Sequence, residues 1–435
     1  MNSQRRTSPE RNPLRISLVA IALAVAALGF FLASCAPPPL LEDVTLEPST
    51  ITPNADGEAD VAVLEFKLNQ NANVSFKLTD NNGRDFYFRA PSRLSVNEER
   101  YRVLFGGVVE GYRREDEDLP DYTIIKRILP DGPYTWALEA DNRQGQSTVV
   151  TGTLVIENAD TLLPGIRGFS VSPKVFSPNQ DGIADRVTIN LALEKDVASL
   201  RVYLVGADGV EHHIAEDEKT TPPNERGWHT YDYDGGIDAG NRPPPDGVYT
   251  VYAEALDDVG QHLAVSDTVE IVDAGIPRGY ILNGEVEWSD VTLVLSDTLC
   301  FTTTVENDSD TYLRTTGPWP GTLYQSDQNF NAFNRAEESG VFRIAMEYDT
   351  SLRSYPFRWG IGRPGVDLVE IDGYWYLPPR QRSLITGCVQ IVDIPVRNPL
   401  YYWLGLIHED VGIEQVNNRV APNFVTIWEP GSSAP

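Results

Sequence analysis

TPNADGEAD at 52–60 and SPNQDGIAD at 177–185 are two copies of one segment, offset by 125 residues. A second pair lies downstream, PDGPYTWALEADNRQGQ at 130–146 and PDGVYTVYAEALDDVGQ at 245–261, aligned without gaps at an offset of 115. Two landmarks in the same order, one near each start and one near each end, mean a duplicated module. Between the landmarks the first copy carries an acidic insertion around Glu115-Asp116-Glu117-Asp118, predicted to be a surface loop. The copies are placed at 41–158 and 165–274, with Leu162-Leu163-Pro164-Gly165 as the linker.

Period-two alternation runs through both copies and beyond. Val187, Ile189, Leu191 and Leu193 alternate with Thr188, Asn190 and Ala192; Leu64, Phe66 and Leu68 do the same, as do Phe342, Ile344, Met346 and Tyr348. Gly, Pro, Asn and Asp clusters separate such runs, and helical periodicity is nearly absent after residue 35. This predicts an all-β chain of antiparallel sandwiches, each sheet with one buried face. Residues 276–435 hold six of the eight tryptophans. Strands predicted at 291–295, 300–305, 341–348, 389–396 and 401–407 make this stretch a third, tryptophan-rich β-sandwich.

The landmarks also carry a resemblance. SPNQDGIAD, then Trp228, Asp234-Gly235 and Pro245-Asp246-Gly247-Val248-Tyr249 resemble the immunoglobulin-like module of flagellar hook-capping proteins and of C-terminal modules in gliding and surface proteins. The first copy keeps the start and the end but has Phe105-Gly106-Gly107 in the middle. The resemblance implies two tandem immunoglobulin-like sandwiches serving as spacers or adhesion units.

The N-terminus reads differently. Arg5, Arg6, Arg11 and Arg15 precede an uncharged apolar run from Ile16 to Leu32, and the run ends in Leu32-Ala33-Ser34-Cys35. These four residues resemble the lipobox of bacterial lipoproteins. The resemblance implies a signal peptide over 1–34, removed by cleavage, and a lipid on the Cys35 thiol. Ala36-Pro37-Pro38-Pro39 cannot continue a helix and suits an extended tether over 35–40. The competing reading is an uncleaved membrane anchor. A lipid anchor places the rest outside the cytoplasm, on an inner or an outer membrane.

The chain carries a formal charge of −28; four arginines and one glutamate leave with residues 1–34, so residues 35–435 carry −31. Such a surface repels nucleic acid and anionic lipid. Of three cysteines, Cys35 is assigned to lipid, which leaves Cys300 and Cys388. In an exported chain an even remainder reads as one disulfide; two buried thiols are the alternative.

Candidate chemistry is sparse. Asn54, Asp56 and Asp60, and likewise Asn179, Asp181 and Asp185, stand at i, i+2, i+6 with a glycine between them, as in part of an oxygen-rich calcium loop. Thr52 or Ser177 stands where such a loop has its first carboxylate, and Val63 or Thr188 where it has its last. The alternative is a metal-free turn in which these side chains accept backbone amides. The five histidines, at 212, 213, 229, 262 and 408, form no zinc spacing, and His408-Glu409-Asp410 reads as a strand-end loop. There is no nucleophile elbow, phosphate loop or dinucleotide fingerprint. Trp319 in TTGPWPG and Trp375 in GYWYLPP sit in irregular loops near Gln328, Asn329, Asn331 and Asn334. They are either sugar-stacking aromatics or core residues.

These readings predict a non-enzymatic surface protein held by its N-terminal lipid. Its third domain would meet an envelope glycan or a surface protein. The alternative is an envelope enzyme or transport accessory with its site in the third domain.

Overall fold

The computed structural model describes residues 38–96, 99–114, 117, 119, 122–216 and 221–431. Cys35 and the signal segment lie outside the described residues. Those described are β-strands, turns and two short 3-10 helices, so the all-β class holds.

The two repeats fold alike. In the first, Leu41–Glu47, Ala62–Leu68 and Tyr101–Phe105 form one sheet. Thr50–Ile51, Ser147–Ile156, Gly132–Asp141, Ala72–Thr79 and Asp85–Leu94 form the other. In the second, Ile166–Ser172, Val187–Leu193 and Gly227–Tyr233 face a sheet of Glu211–His213, Ser199–Val205, Gly247–Leu256 and His262–Ile271. Alternation predicts burial here: Ala62–Leu68 and Val187–Leu193 each bury every second residue. The opening strand of each copy carries a bulge at the same place, after Glu42 and after Arg167.

The PDG-x-Y landmark closes each repeat. The Asp131 carboxylate accepts the amides of Asn158 and Ala159 (3.0 and 2.9 Å), and Asp246 those of Asp273 and Ala274 (3.1 and 2.9 Å). The Tyr134 and Tyr249 hydroxyls donate to the carbonyls of Pro130 and Pro245, both at 2.8 Å. The landmark therefore ties the exit of the last strand to the turn before the preceding one.

In the C-terminal domain, Gly279–Trp288, Thr298–Asn307, Arg382–Gln390 and Leu323–Gln325 form one sheet. Thr292–Val294, Val420–Trp428, Leu400–His408, Phe342–Tyr348 and Phe357–Gly360 form a second. A small sheet of Leu313–Thr315, Tyr374–Leu377 and Val369–Ile371 stands beside them. Phe301, Trp359, Ile385, Leu404 and Val425 lie at the centre of its core.

Two expectations need correction. The strand expected at 389–396 is Arg382–Gln390, and Val396 beyond it is fully exposed. Phe342–Tyr348 is covered on both faces, because Arg343 is buried beside Glu409. Within the expected linker, Leu163 packs in the second repeat's core. Of the acidic insertion, Glu115, Asp116 and Asp118 lie outside the described residues. The chain divides into two compact units, residues up to Tyr112 with Lys126–Leu162, and Arg113–Ile125 with Leu163–Pro435. Tyr122, Leu119 and Ile124 supply apolar surface to the second repeat's core, which draws their segment into that unit.

Candidate functional site: the Asn-x-Asp-Gly loop and its socket

Both acidic loops adopt one backbone, set by their own side chains. In the first, Asn54 Oδ1 accepts the Asp56 amide (3.0 Å) and Asp56 Oδ1 the Glu58 amide (2.8 Å). Asp60 takes the Asn54, Ala55 and Gly57 amides at 3.1, 2.9 and 2.8 Å. In the second, Asn179 Oδ1 accepts the Asp181 amide (3.0 Å), Asp181 Oδ1 the Ile183 amide (2.9 Å), and Asp185 the amides of Asp181 and Gly182 (3.1 and 2.7 Å). Thr52 and Ser177 donate their hydroxyls to the carbonyls of Glu58 and Ile183, which closes each loop. This is the hydrogen bonding of an Asx-type turn. Among the described residues no three His, Cys, Asp or Glu side chains are grouped to hold a metal ion.

The surroundings differ. Asp56 is exposed, whereas Asn179 and Asp181 are buried against the C-terminal domain. The Tyr376 hydroxyl donates to Asp181 Oδ2 (3.1 Å), Arg314 Nη1 to the Asp181 carbonyl (2.8 Å), and His408 Nε2 to the Gln180 carbonyl (2.8 Å). The backbones nearly touch: a Cβ on Gly182 would lie 2.0 Å from the Ser339 carbonyl oxygen, and one on Gly340 would lie 2.0 Å from the Asp181 carbonyl carbon. Only glycine fits at both positions.

The socket is braced from behind. Arg314 stacks on Tyr374 with 4.5 Å to the ring centroid, and His408 lies flat on Phe342 at 4.0 Å. The Glu338 amide donates to Glu409 Oε2 (2.8 Å), and Arg358 and Arg343 reach Glu409 Oε1 at 2.7 and 3.4 Å. Burial raises the carboxyl pKa of Asp181, opposed by the Ile183 amide, the Tyr376 hydroxyl and Arg314. Burial likewise raises Asp185, opposed by the Gly182 amide. Burial lowers His408 to about 4, so its ring is neutral at neutral pH. Burial and Asp181 together push the Tyr376 hydroxyl upward. Tyr376, Arg314 and His408 join the two domains, and the Glu409 cluster braces them from within the C-terminal domain.

Sequence reasoning missed the socket. Its parts come from residues 314, 339–340, 376 and 408, and no local pattern marks them. The His408 segment is the strand end the sequence predicts, followed by a turn at Glu409-Asp410, and its ring is buried.

Cys300 and Cys388 form a disulfide between directly opposed residues of neighbouring strands, with Cα atoms 4.2 Å apart. Trp319 and Trp375 are half-buried against the C-terminal core, and Trp375, expected in an irregular loop, lies in the strand Tyr374–Leu377, paired with Thr315 and Glu370. Trp319 covers Gly360, where an added Cβ would meet its ring at 2.9 Å. Of the amide residues expected beside them, Asn329 caps the short helix Phe330–Phe333 and Gln328 accepts the Gln325 amide. Trp228 of the second repeat, by contrast, is 62 % exposed.

No protein-family model and no curated protein matches the chain. Among solved structures, a Ca2+-stabilised, ice-binding adhesin of an Antarctic bacterium aligns at 10% identity over 90% of this chain and 74% of its own, with a TM-score of 0.21. A tetra-tandem repeat from the extending region of a large adhesion protein aligns at 12% identity over 88% and 87%, with a TM-score of 0.18. Alpha-2-macroglobulin of E. coli aligns at 10% identity over 91% of this chain and 23% of its own, with a TM-score of 0.17. TM-scores of this size carry no argument about role.

Proposed function

We propose that this chain is a non-enzymatic, lipid-anchored protein outside the cytoplasm, tethered through Cys35. The two repeats space the C-terminal domain from the membrane. That domain meets an envelope glycan or a surface protein through the loop around Trp319 and the strand residue Trp375. The observation that carries this reading is the joint at Asp181. A cluster of buried polar groups locks a spacer module onto the terminal domain, and a rigid joint is what presentation of a binding domain needs. Each acyl methylene contributes about 0.8 kcal/mol of membrane affinity, so two or three chains on Cys35 hold the protein durably.

Two measurements test it. Cys35→Ser should release the protein from the membrane fraction or block its processing; a mutant still cleaved and still partitioning into detergent refutes the anchor. For the binding role, residues 163–435 should be kept whole, because cutting at 276 would expose the socket. That fragment should retain any binding to purified envelope polysaccharide that the full chain shows, and Trp319→Ala or Trp375→Ala should weaken it by over about 1 kcal/mol. Binding that survives both substitutions refutes the assignment to these two tryptophans.

A further inference from the structure

In each of the three domains a short early strand lies parallel to the last strand. Thr50–Ile51 runs beside Ser147–Ile156, Val175–Phe176 beside His262–Ile271, and Thr292–Val294 beside Val420–Trp428. The bonds repeat as well. The Val155 and Glu157 amides donate to the Ser49 and Ile51 carbonyls (2.9 and 3.0 Å), and those of Glu270 and Val272 to Lys174 and Phe176 (2.8 and 3.1 Å). In the C-terminal domain Thr426 donates to Val291 (2.8 Å) and Leu295 to Trp428 (2.9 Å). Ile51, Phe176 and Leu293 anchor the three short strands in their cores. The C-terminal domain carries neither repeated landmark, so duplication alone does not account for the third instance.

This arrangement has a mechanical consequence. Pulling a domain by its two ends first loads its opening strand (Leu41–Glu47, Ile166–Ser172 or Gly279–Trp288) and, once that strand detaches, drags the early strand and the last strand past each other along their length. All the bonds between them, and the buried anchor, are then loaded together. An antiparallel pair pulled from one end opens one bond at a time. Resistance to force tracks the barrier to unfolding rather than equilibrium stability, and a shear clamp raises that barrier. In the C-terminal domain the disulfide lies inside the clamp: Cys300 comes after Thr292–Val294, and Cys388 precedes Val420–Trp428.

We propose that the chain is a load-bearing tether. Its three domains are clamped in shear, one after another, against tension between the N- and C-terminal ends. The disulfide limits how far the C-terminal domain extends if its clamp yields. The biological setting rests on the lipid-anchored reading proposed for this chain; the mechanics do not, so the test uses the unlipidated mature chain.

The chain is stretched by its two ends in a force spectrometer, alone and as two variants, Phe176→Ala in the clamp and Leu204→Ala in the same core outside it. Both should lower equilibrium stability in denaturant, since both side chains are fully buried. Only Phe176→Ala should lower the rupture force of the second repeat markedly. Equal losses of force, or no loss in Phe176→Ala, overturn the clamp. Reduction should lengthen the C-terminal step alone: the bond spans 88 residues, which at full extension is about 300 Å. An unchanged step overturns the extension limit. Membrane release of Cys35→Ser is scored separately, so a failed anchor and a failed clamp are distinguishable.

Discussion

The Tyr376 hydroxyl donates to the Asp181 carboxylate across 195 residues of sequence, at 3.1 Å, and so joins a turn of the second repeat to a strand of the C-terminal domain. The same turn in the first repeat keeps Asp56 exposed. One local structure thus serves two environments, and several expectations come from that contrast.

Gly57 and Gly182 occupy the same place in the two loops, at φ of +88° and +81°. An added Cβ at Gly57 meets nothing within 4 Å, and at Gly182 it meets the Ser339 carbonyl. Gly57→Ala should cost only the left-handed strain, about 1–2 kcal/mol. Gly182→Ala adds an overpacking cost of about 1–3 kcal/mol. Denaturant unfolding of both variants checks this, and equal losses would mean that the joint carries no weight.

His408 stays neutral in the folded state down to about pH 4, while the unfolded chain protonates near 6.5. Its contribution is therefore complete above pH 6.5 and is lost as pH falls towards 4, about 3 kcal/mol in all. Asp181 and Asp185, with carboxyls raised by burial, work the other way and gain on acidification. Comparison with His408→Gln isolates the imidazole. The variant keeps a donor for the Gln180 carbonyl and should lose less stability between pH 6.5 and 4 than the parent. Identical pH profiles would remove His408 from the joint.

Opening the disulfide releases a loop of 88 residues, worth about 4–5 kcal/mol in the chain-entropy model. The Cys300→Ala, Cys388→Ala double variant should lower the unfolding midpoint of the second unit and leave the first unit's unchanged.

Millimolar calcium should not raise the melting temperature, because Asp60 and Asp185 already accept backbone amides with both oxygens. Desolvation, the largest single effect, raises the Asp60 carboxyl, but the amides of Gly57, Asn54 and Ala55 together outweigh it and hold the carboxyl below its usual value. Asp60→Ala should destabilise the first repeat equally with and without calcium. A calcium-dependent gain that Asp60→Ala abolishes would restore the calcium loop.

Much of the fold was legible in the residues themselves. Side chains at alternate positions face one way in a strand, so Ala62–Leu68 and Val187–Leu193 announced their buried faces. Paired landmarks at fixed offsets announced two copies of one domain, and the Cys300–Cys388 bond was one of two readings left open. These features depend on neighbours in sequence or on counting, and the sequence holds both.

The joint was not legible. TPNADGEAD and SPNQDGIAD prescribe the same turn, because their side chains bond their own backbone. Whether that turn meets water or a socket depends on Arg314, Ser339, Gly340, Tyr376 and His408, brought together only when the C-terminal domain folds. Sequence alone determined the turn, since hydrogen bonds within the TPNADGEAD and SPNQDGIAD segments suffice to hold it. Tertiary structure alone decided the burial of Asp181 and Asp185 and the direction in which their pKa values move, because desolvation is set by whatever approaches from far along the chain.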